Sequence, residues 1–132
     1  MENTETRSPS KAAFWIGWIL CILPALGLLF SGAAKLLLPS SPEMDESLNH
    51  IGWRVGLIPV LAVLEFVCAI LFLIPQTALI GAILVTGYMG GAIATHLRVG
   101  DPFVVQALFP ILCWLGLWLR DPRLRVLLPL RS

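Results

Sequence analysis

Charged residues are scarce in this chain. They account for 13% of its 132 residues, whereas 58% are hydrophobic, and the mean hydropathy is +0.87. Because water-soluble domains carry roughly 25% charged residues, this composition excludes an ordinary soluble domain and predicts an integral membrane protein. The net charge is +1 and no basic patch is interleaved with aromatic residues, so nothing indicates a nucleic-acid partner.

Cysteine is also sparse. Cys21, Cys68 and Cys113 all lie within apolar runs, and no C-x-x-C motif is present, so neither a zinc site nor a thioredoxin-type redox pair is indicated. No serine or cysteine has a histidine at a motif spacing, and the histidines and carboxylates show no metal-ligand spacing. Helix geometry places Cys21 and Cys68 at a similar depth, which leaves a redox couple as an alternative to simple packing.

Four apolar runs have the length of membrane-crossing helices or approach it. A hydrocarbon core of ~30 Å requires ~20 residues, and backbone polar groups inside it must be satisfied within the helix. The turns at Pro75 and at Gly100-Asp101-Pro102 separate the last three runs. The predicted fold is all-α, an integral membrane four-helix bundle forming one domain over residues 12–119. Its predicted spans are residues 12–38, 55–74, 77–97 and 103–119.

Lysine and arginine are distributed unevenly around these spans. An even number of crossings puts both termini on one side, where residues 1–11 and 120–132 carry six of them. The other side has only Lys35, Arg54 and Arg98. The positive-inside rule therefore predicts a multi-pass plasma-membrane protein with cytoplasmic N- and C-termini.

The segments outside the spans differ in character. Residues 1–11 are polar and predicted to be disordered, and residues 120–132 are predicted to form a basic cytoplasmic tail. The long external connection, residues 39–54, contains Ser41-Pro42-Glu43, which predicts the start of a short surface helix. The basic N-terminal segment and the small residues Ser31-Gly32-Ala33 also resemble a cleaved signal peptide, although the apolar stretch is longer than usual for one.

A single acid, Glu65, lies at the centre of the second run. If Val55 marks the outer boundary of the membrane, Glu65 is ~15 Å deep and near the midplane. A carboxylate there costs at least ~2.5 kcal/mol of insertion free energy, so it must form an ion pair, be protonated or serve a function. Two interpretations remain open: a protonated carboxyl bonded between helices, and a buried polar site built around Glu65.

Other polar side chains flank this acid. Lys35 shares a helical stripe with Ser31 near the outer end of the first run, and His96 and Tyr88 lie together on the third. The ionisable groups gather on the external half, which indicates a cavity open to the outside and floored by Glu65. For Lys35 the alternative is snorkelling to the interface; for His96 it is an ordinary position at a helix end. The candidates for ligand binding or proton exchange are Glu65, Lys35, His96, Tyr88 and Gln106.

Small residues recur at helical spacing in two of the runs. Gly17 and Cys21 begin a stripe of small and polar side chains on the first run, and Gly87, Gly91 and Thr95 follow at intervals of four on the third. Such stripes allow helix backbones to approach closely. Both are therefore predicted to be helix-packing surfaces.

Three short segments resemble the DoxX-like proteins, small four-helix membrane proteins of bacteria. They are SGAAKL at residues 31–36, VLE at 63–65 and GAIATHL at 91–97, and the four-span plan covers most of the chain. The resemblance implies a four-helix bundle in the cell inner membrane, related to the small subunit type found with thiosulfate:quinone oxidoreductases. It also implies that Lys35, Glu65 and His96 occupy the family's polar signature positions, but no complete thiosulfate or quinone site is recognisable.

The leading hypothesis is an accessory subunit of a membrane redox system that binds a small lipophilic partner such as a quinone. Glu65 would exchange the proton while Lys35 and His96 tune its charge; no catalytic residue is assigned. The expected partners are the lipid bilayer, a membrane or periplasmic oxidoreductase subunit and a second copy of the chain. The alternatives are a non-enzymatic assembly or scaffold module and, less favoured, a small-solute or lipid carrier, for which prolines within the runs are the only hint.

Overall fold

The chain is all-helical over residues 8–39 and 41–128, which the computed structural model describes. A turn of 3-10 helix at Val55–Leu57 leads into the third α-helix, and no strand occurs in these two ranges. The all-α prediction is therefore confirmed. The six α-helices are α1 Lys11–Leu37, α2 Pro42–Ile51, α3 Ile58–Leu73, α4 Ala78–Val99, α5 Val104–Arg120 and α6 Pro122–Leu127.

Three helical stretches are long and apolar enough to cross a membrane. They are Lys11–Leu37, Val55–Leu73 and Ala78–Val99, and they match the first three predicted spans to within a few residues. The fourth predicted span corresponds to α5, which is apolar but has only 17 residues. Length and composition alone thus establish three crossing-competent helices and leave α5 as a shorter fourth.

The predicted short surface helix in the external connection is present as α2. The Ser41 hydroxyl accepts a hydrogen bond from the Met44 backbone N–H at 3.2 Å, and Pro42 occupies the first turn. Gly52 ends the helix in the left-handed conformation, with φ of 83°, which glycine adopts without the Cβ clash of other residues. These local signals are short-range, which is why they are readable from the sequence.

The four long helices pack as a closed ring in which α1 and α4 each contact both α3 and α5. The surface helix α2 lies over one end of this ring and contacts α4. Arg98 on α4 donates to the Ile51 carbonyl at 2.6 Å and ties the two helices together. The interior holds Leu28, Phe72 and Val85 almost fully buried, while large apolar side chains cover the outward faces, as expected for a chain solvated by lipid.

Glycines set the closest helix contacts. A Cβ on Gly17 of α1 would lie 2.8 Å from the Gly116 carbonyl oxygen of α5, and one on Gly116 would lie 2.6 Å from Cys21 Sγ. The packing surface predicted for the first run is therefore confirmed. The one predicted for the third run is wrong within the described chain, because a Cβ on Gly87 or Gly91 would meet no atom within 4 Å.

The end of the chain contains more structure than a basic tail. Arg120 is the last residue of α5 and only 8% exposed, and α6 follows it with Leu124 buried. Of the N-terminal segment predicted to be disordered, residues 1–7 lie outside the described residues. Ser10 caps α1 by accepting from the Ala13 N–H at 3.2 Å.

Candidate functional site

Glu65 is held inside the ring by side chains from two neighbouring helices. Its carboxylate is 4% exposed, and Lys35 Nζ of α1 donates to Oε1 at 2.9 Å and to Oε2 at 3.0 Å. The Tyr88 hydroxyl of α4 donates to Oε1 at 2.8 Å, and the Ser31 hydroxyl of α1 donates to the same oxygen at 3.2 Å. One carboxylate on α3 thus connects three helices.

The ion pair with Lys35 explains how the charge of Glu65 is stabilised inside the ring. Ser31 lies one helical turn before Lys35, and the Lys35 ammonium also donates to the Ser31 hydroxyl at 2.5 Å. An ion pair in a low-dielectric interior is stable only with good geometry and further hydrogen bonds, and this one has both. The geometry therefore favours a salt bridge over a lone protonated carboxyl, and Lys35 turns toward Glu65 instead of snorkelling outward.

His96 and Gln106 form a separate polar pair nearer the end of the ring that α2 covers. His96 Nδ1 lies 2.8 Å from the Ala92 carbonyl oxygen, so this nitrogen donates. Its Nε2 lies 3.3 Å from Gln106 Nε2 of α5, which places the amide N–H as the donor to an unprotonated ring nitrogen. A neutral imidazole protonated at Nδ1 satisfies both contacts. His96 therefore links α4 to α5, and no hydrogen bond joins it to Glu65 in the described structure.

A cavity of about 470 Å³ joins these two polar groups, and its size lies within the range of small-molecule sites. All five candidate residues from the sequence line it, as does Ser31. The remaining wall is mostly apolar, with Trp53 and Leu48 from the α2 region and Phe109 from α5. The arrangement is that of an apolar chamber with a charged pair and a histidine–amide pair on its walls.

Exposed residues line part of the cavity, Val105 on α5 among them, and those on α3 and α4 indicate an opening between these two helices. Leu64 on α3 is 44% exposed and lines it. Gly87 and Gly91 on α4 are exposed, line it as well and have open space where a side chain would project. The glycines that the sequence suggested for helix packing instead leave a gap at the depth of Glu65. In a bilayer this gap faces the acyl chains.

A more polar cavity of about 590 Å³ lies above the chamber, beneath α2. Glu43, Glu46, His50 and Asp101 line it, and His50 Nε2 lies 3.1 Å from an Asp101 carboxylate oxygen. His96 lines both cavities and so stands between them. No group of three or more His, Cys, Asp or Glu side chains in residues 8–39 and 41–128 is arranged to hold a metal ion.

Sequence reasoning missed two features of this region. Ser31 was noted only as sharing a stripe with Lys35, although that four-residue spacing was the signal that both side chains reach one partner. The contribution of α2 and Trp53 to the chamber wall carries no local sequence signal, because it depends on how the external connection folds back. All three cysteines are buried and free of disulfide bonds, and a redox pair of Cys21 and Cys68 stays an untested alternative to simple packing.

Similarity to known proteins comes from a family model. No curated protein and no solved structure matches the chain significantly. The model of the DoxX-like family matches residues 19–119, a range that includes the whole Glu65 chamber wall from α1 to α5. Since this match covers most of the chain, and the helical architecture agrees with it, the protein is a membrane protein that belongs to the DoxX-like family.

Proposed function

We propose that the protein binds a small lipophilic ligand, such as a quinone, in the chamber at Glu65 and acts as an accessory subunit of a membrane redox system. The observation that carries this proposal is a hydrogen-bonded Lys35–Glu65 pair, with side chains 22% and 5% exposed, on the wall of an otherwise apolar chamber. A membrane protein that needed only packing at this position would place an apolar side chain there at lower cost.

The proposed topology has four crossings of the cell inner membrane with both termini in the cytoplasm. Helix α5 is about 25 Å long, a few ångströms short of the hydrocarbon core, and such a mismatch costs only fractions of a kcal/mol per ångström. Its packing against both α1 and α4 supports a crossing alongside them. Trp15, Trp18 and Trp118 lie toward the end with more basic residues, as interfacial anchors do.

The gap between α3 and α4 supports a ligand that arrives from the bilayer. A lipophilic ring that enters past Gly91 has its polar edge beside Glu65, Lys35 and Tyr88, while its apolar tail stays among lipid chains. In this arrangement Glu65 exchanges a proton with a hydroxyl of the quinol, the reduced form of such a ligand, and Lys35 stabilises the charged carboxylate. His96, which lines both cavities, is placed to pass a proton toward the polar cavity under α2.

Replacing Glu65 with Gln tests this proposal directly. The amide keeps the shape but removes the charge, so the affinity for a short-chain quinone should fall by about tenfold or more and lose its pH dependence. Equilibrium titration of the purified protein in detergent measures it. Asp121→Asn, which lines neither the chamber nor the polar cavity under α2, is the matched control. Unchanged affinity and pH dependence in Glu65→Gln would reject the ligand site.

A second variant closes the chamber from the lipid side. Gly91→Leu places a side chain in the gap, where a Cβ has no neighbour within 4 Å. We expect quinone binding to fall at least about tenfold while the melting temperature stays close to that of the wild type, because nothing is displaced. Gly90→Leu, one residue away and also free of neighbours, does not line the chamber and serves as the control. Equal quinone affinity in both variants would contradict access between α3 and α4.

One observation favours a non-enzymatic assembly or scaffold module as the second candidate. The Glu65 carboxylate bonds residues on α1 and α4, so it fixes the register of three helices without any ligand. On this alternative, the wild-type protein does not bind quinone. Glu65→Gln then lowers thermal stability or the yield of a complex with an oxidoreductase partner. A carrier gains no support, because α1 and α5 continue through Pro24 and Pro110 without a break.

A further inference from the structure

A separate cavity of about 520 Å³ lies at the opposite end of the ring from Glu65. It is bounded by the start of α1, by the Pro75-Gln76 turn between α3 and α4, and by the junction of α5 with α6. Two arginines, Arg120 and Arg123, line it together with the aromatic rings of Phe14 and Trp18. Neither the Glu65 chamber nor the proposed quinone function involves this cavity.

Arg120 is unusually placed for an arginine at the end of a membrane helix. Only 8% of it is exposed, because Gly17 of α1 leaves room for it: a Cβ on Gly17 would lie 2.9 Å from Arg120 Cβ. The guanidinium carbon lies 3.9 Å from the centre of the Trp18 ring. This geometry holds the cation firmly against an aromatic face instead of letting it extend to water.

The charge of Arg120 has no acidic partner among the described residues, although its side chain lies within hydrogen-bonding reach of the buried Cys21 thiol. Its Nε and Nη2 atoms are buried and make no hydrogen bond there. The neighbouring acid, Asp121, accepts from the Arg123 backbone N–H, and the ion pairs found in residues 8–39 and 41–128 lie elsewhere, at Glu65 and Asp101. A buried, unpaired guanidinium is costly, and its contact with Trp18 offsets only part of that cost.

The surroundings indicate which kind of anion fits. Arg123 is exposed and adds a second positive charge to the cavity, while the Asp121 carboxylate adds one negative charge, so the lining keeps a net charge of +1. Phe14 and Trp15, which are 39% and 65% exposed, mark this end of the ring as the aromatic zone where lipid headgroups begin. Basic pockets between membrane helices at this level bind the phosphates of anionic lipids, and a guanidinium fork matches two phosphate oxygens.

We infer that the Arg120 cavity is a binding site for the phosphate of an anionic phospholipid. The phosphate pairs with Arg120 and Arg123, the glycerol backbone lies against Trp18, and the acyl chains follow the exposed apolar face of α1. A free phosphate ion offers the same oxygens but no acyl chains, so the two ligands are separable by experiment.

Native mass spectrometry of the full chain, released from detergent with added lipid, tests the site. Dioleoyl phosphatidylglycerol, dioleoyl phosphatidylcholine and inorganic phosphate are the three probes. We expect one phosphatidylglycerol to be retained with about tenfold higher affinity than phosphatidylcholine, and inorganic phosphate to bind far more weakly than either. Arg120→Gln should abolish this preference, and Arg120→Lys should restore part of it, because a lysine keeps the charge without the fork.

Two further variants make the result decisive. Arg123→Gln changes an exposed residue of the same cavity, so it reports on the site even if Arg120→Gln does not fold, and it should lower the preference severalfold. Arg54→Gln, also exposed but near the opposite end of the ring, should leave the preference unchanged. Equal retention of the two lipids by the wild type, or the same preference in Arg123→Gln and the wild type, would overturn the proposal. Binding of inorganic phosphate as tight as that of phosphatidylglycerol would overturn the assignment to a lipid.

Discussion

Replacing Lys35 with Met is expected to lower the free energy of unfolding by about 3–5 kcal/mol, the usual cost of removing one member of a buried ion pair. Lys35 Nζ reaches both oxygens of Glu65, whose side chain is 5% exposed. Without the ammonium, the carboxylate must either stay charged in a low-dielectric interior or take up a proton, and both outcomes cost stability. Unfolding by titration with sodium dodecyl sulfate in mixed micelles measures the change.

Two further variants show whether this loss comes from the ion pair. The combined substitution Lys35→Met, Glu65→Leu and Tyr88→Phe removes the charges together with the hydroxyl that donates to Glu65. Because replacing a whole buried polar group with apolar side chains is often neutral or stabilising, this variant should regain most of the lost stability. Lys11→Met, at an exposed position on the same helix, should change stability little. A loss in Lys35→Met no larger than that in Lys11→Met would show that the pair contributes no net stability.

Replacing Gly81 with Val is expected to unfold the protein or lower its stability by more than the ~1–3 kcal/mol typical of an overpacked core. A Cβ at this position of α4 would overlap the backbone nitrogen and Cα of Phe72 on α3. Backbone atoms have no alternative rotamer, so the two helices must separate near their connecting turn. The Thr77 hydroxyl, which donates to the Leu71 carbonyl at 2.7 Å, would be displaced with them.

The same helix provides a matched control for this second prediction. Gly90→Val introduces an identical side chain at an exposed position with no atom within 4 Å of its Cβ, so it should cost no more than a few tenths of a kcal/mol. The two variants are compared by the yield of protein solubilised in detergent and by the melting temperature, which size-exclusion chromatography follows. Similar melting temperatures for both would mean that the contact between α3 and α4 at Gly81 is looser than the structure describes.

The helical architecture was predictable because its signals are local. A lipid-exposed backbone must satisfy its own hydrogen bonds, so long apolar runs become helices. The helices end near residues such as Pro75 and Gly100, because the backbone preferences of proline and glycine act without any tertiary contact. The same locality explains why the start of α2 at Ser41 was readable. The sequence predicts α5 as a helix. Because α5 is shorter than a full crossing, its length does not establish that it spans the membrane.

Part of the candidate site was predictable as well. A lone acid in an apolar run must find a partner, and helical periodicity placed Ser31 and Lys35 on one stripe. The sequence did not reveal that Tyr88 donates to the same carboxylate oxygen, nor that His96 bonds Gln106 instead of Glu65. These outcomes depend on the rotation and separation of neighbouring helices, which single-helix patterns do not contain.

The amino-acid sequence by itself determined that this is an all-helical membrane protein with one acid held in its apolar interior, because hydropathy and helix periodicity are properties of short segments. Only the tertiary structure decided which glycines touch another helix: Gly17, Gly81 and Gly116 do, whereas Gly87 and Gly91 border a chamber. It also decided that Arg120 is buried. Identical residues differ in role because some face the backbone of a neighbouring helix and others face open space, and packing of the whole chain sets which.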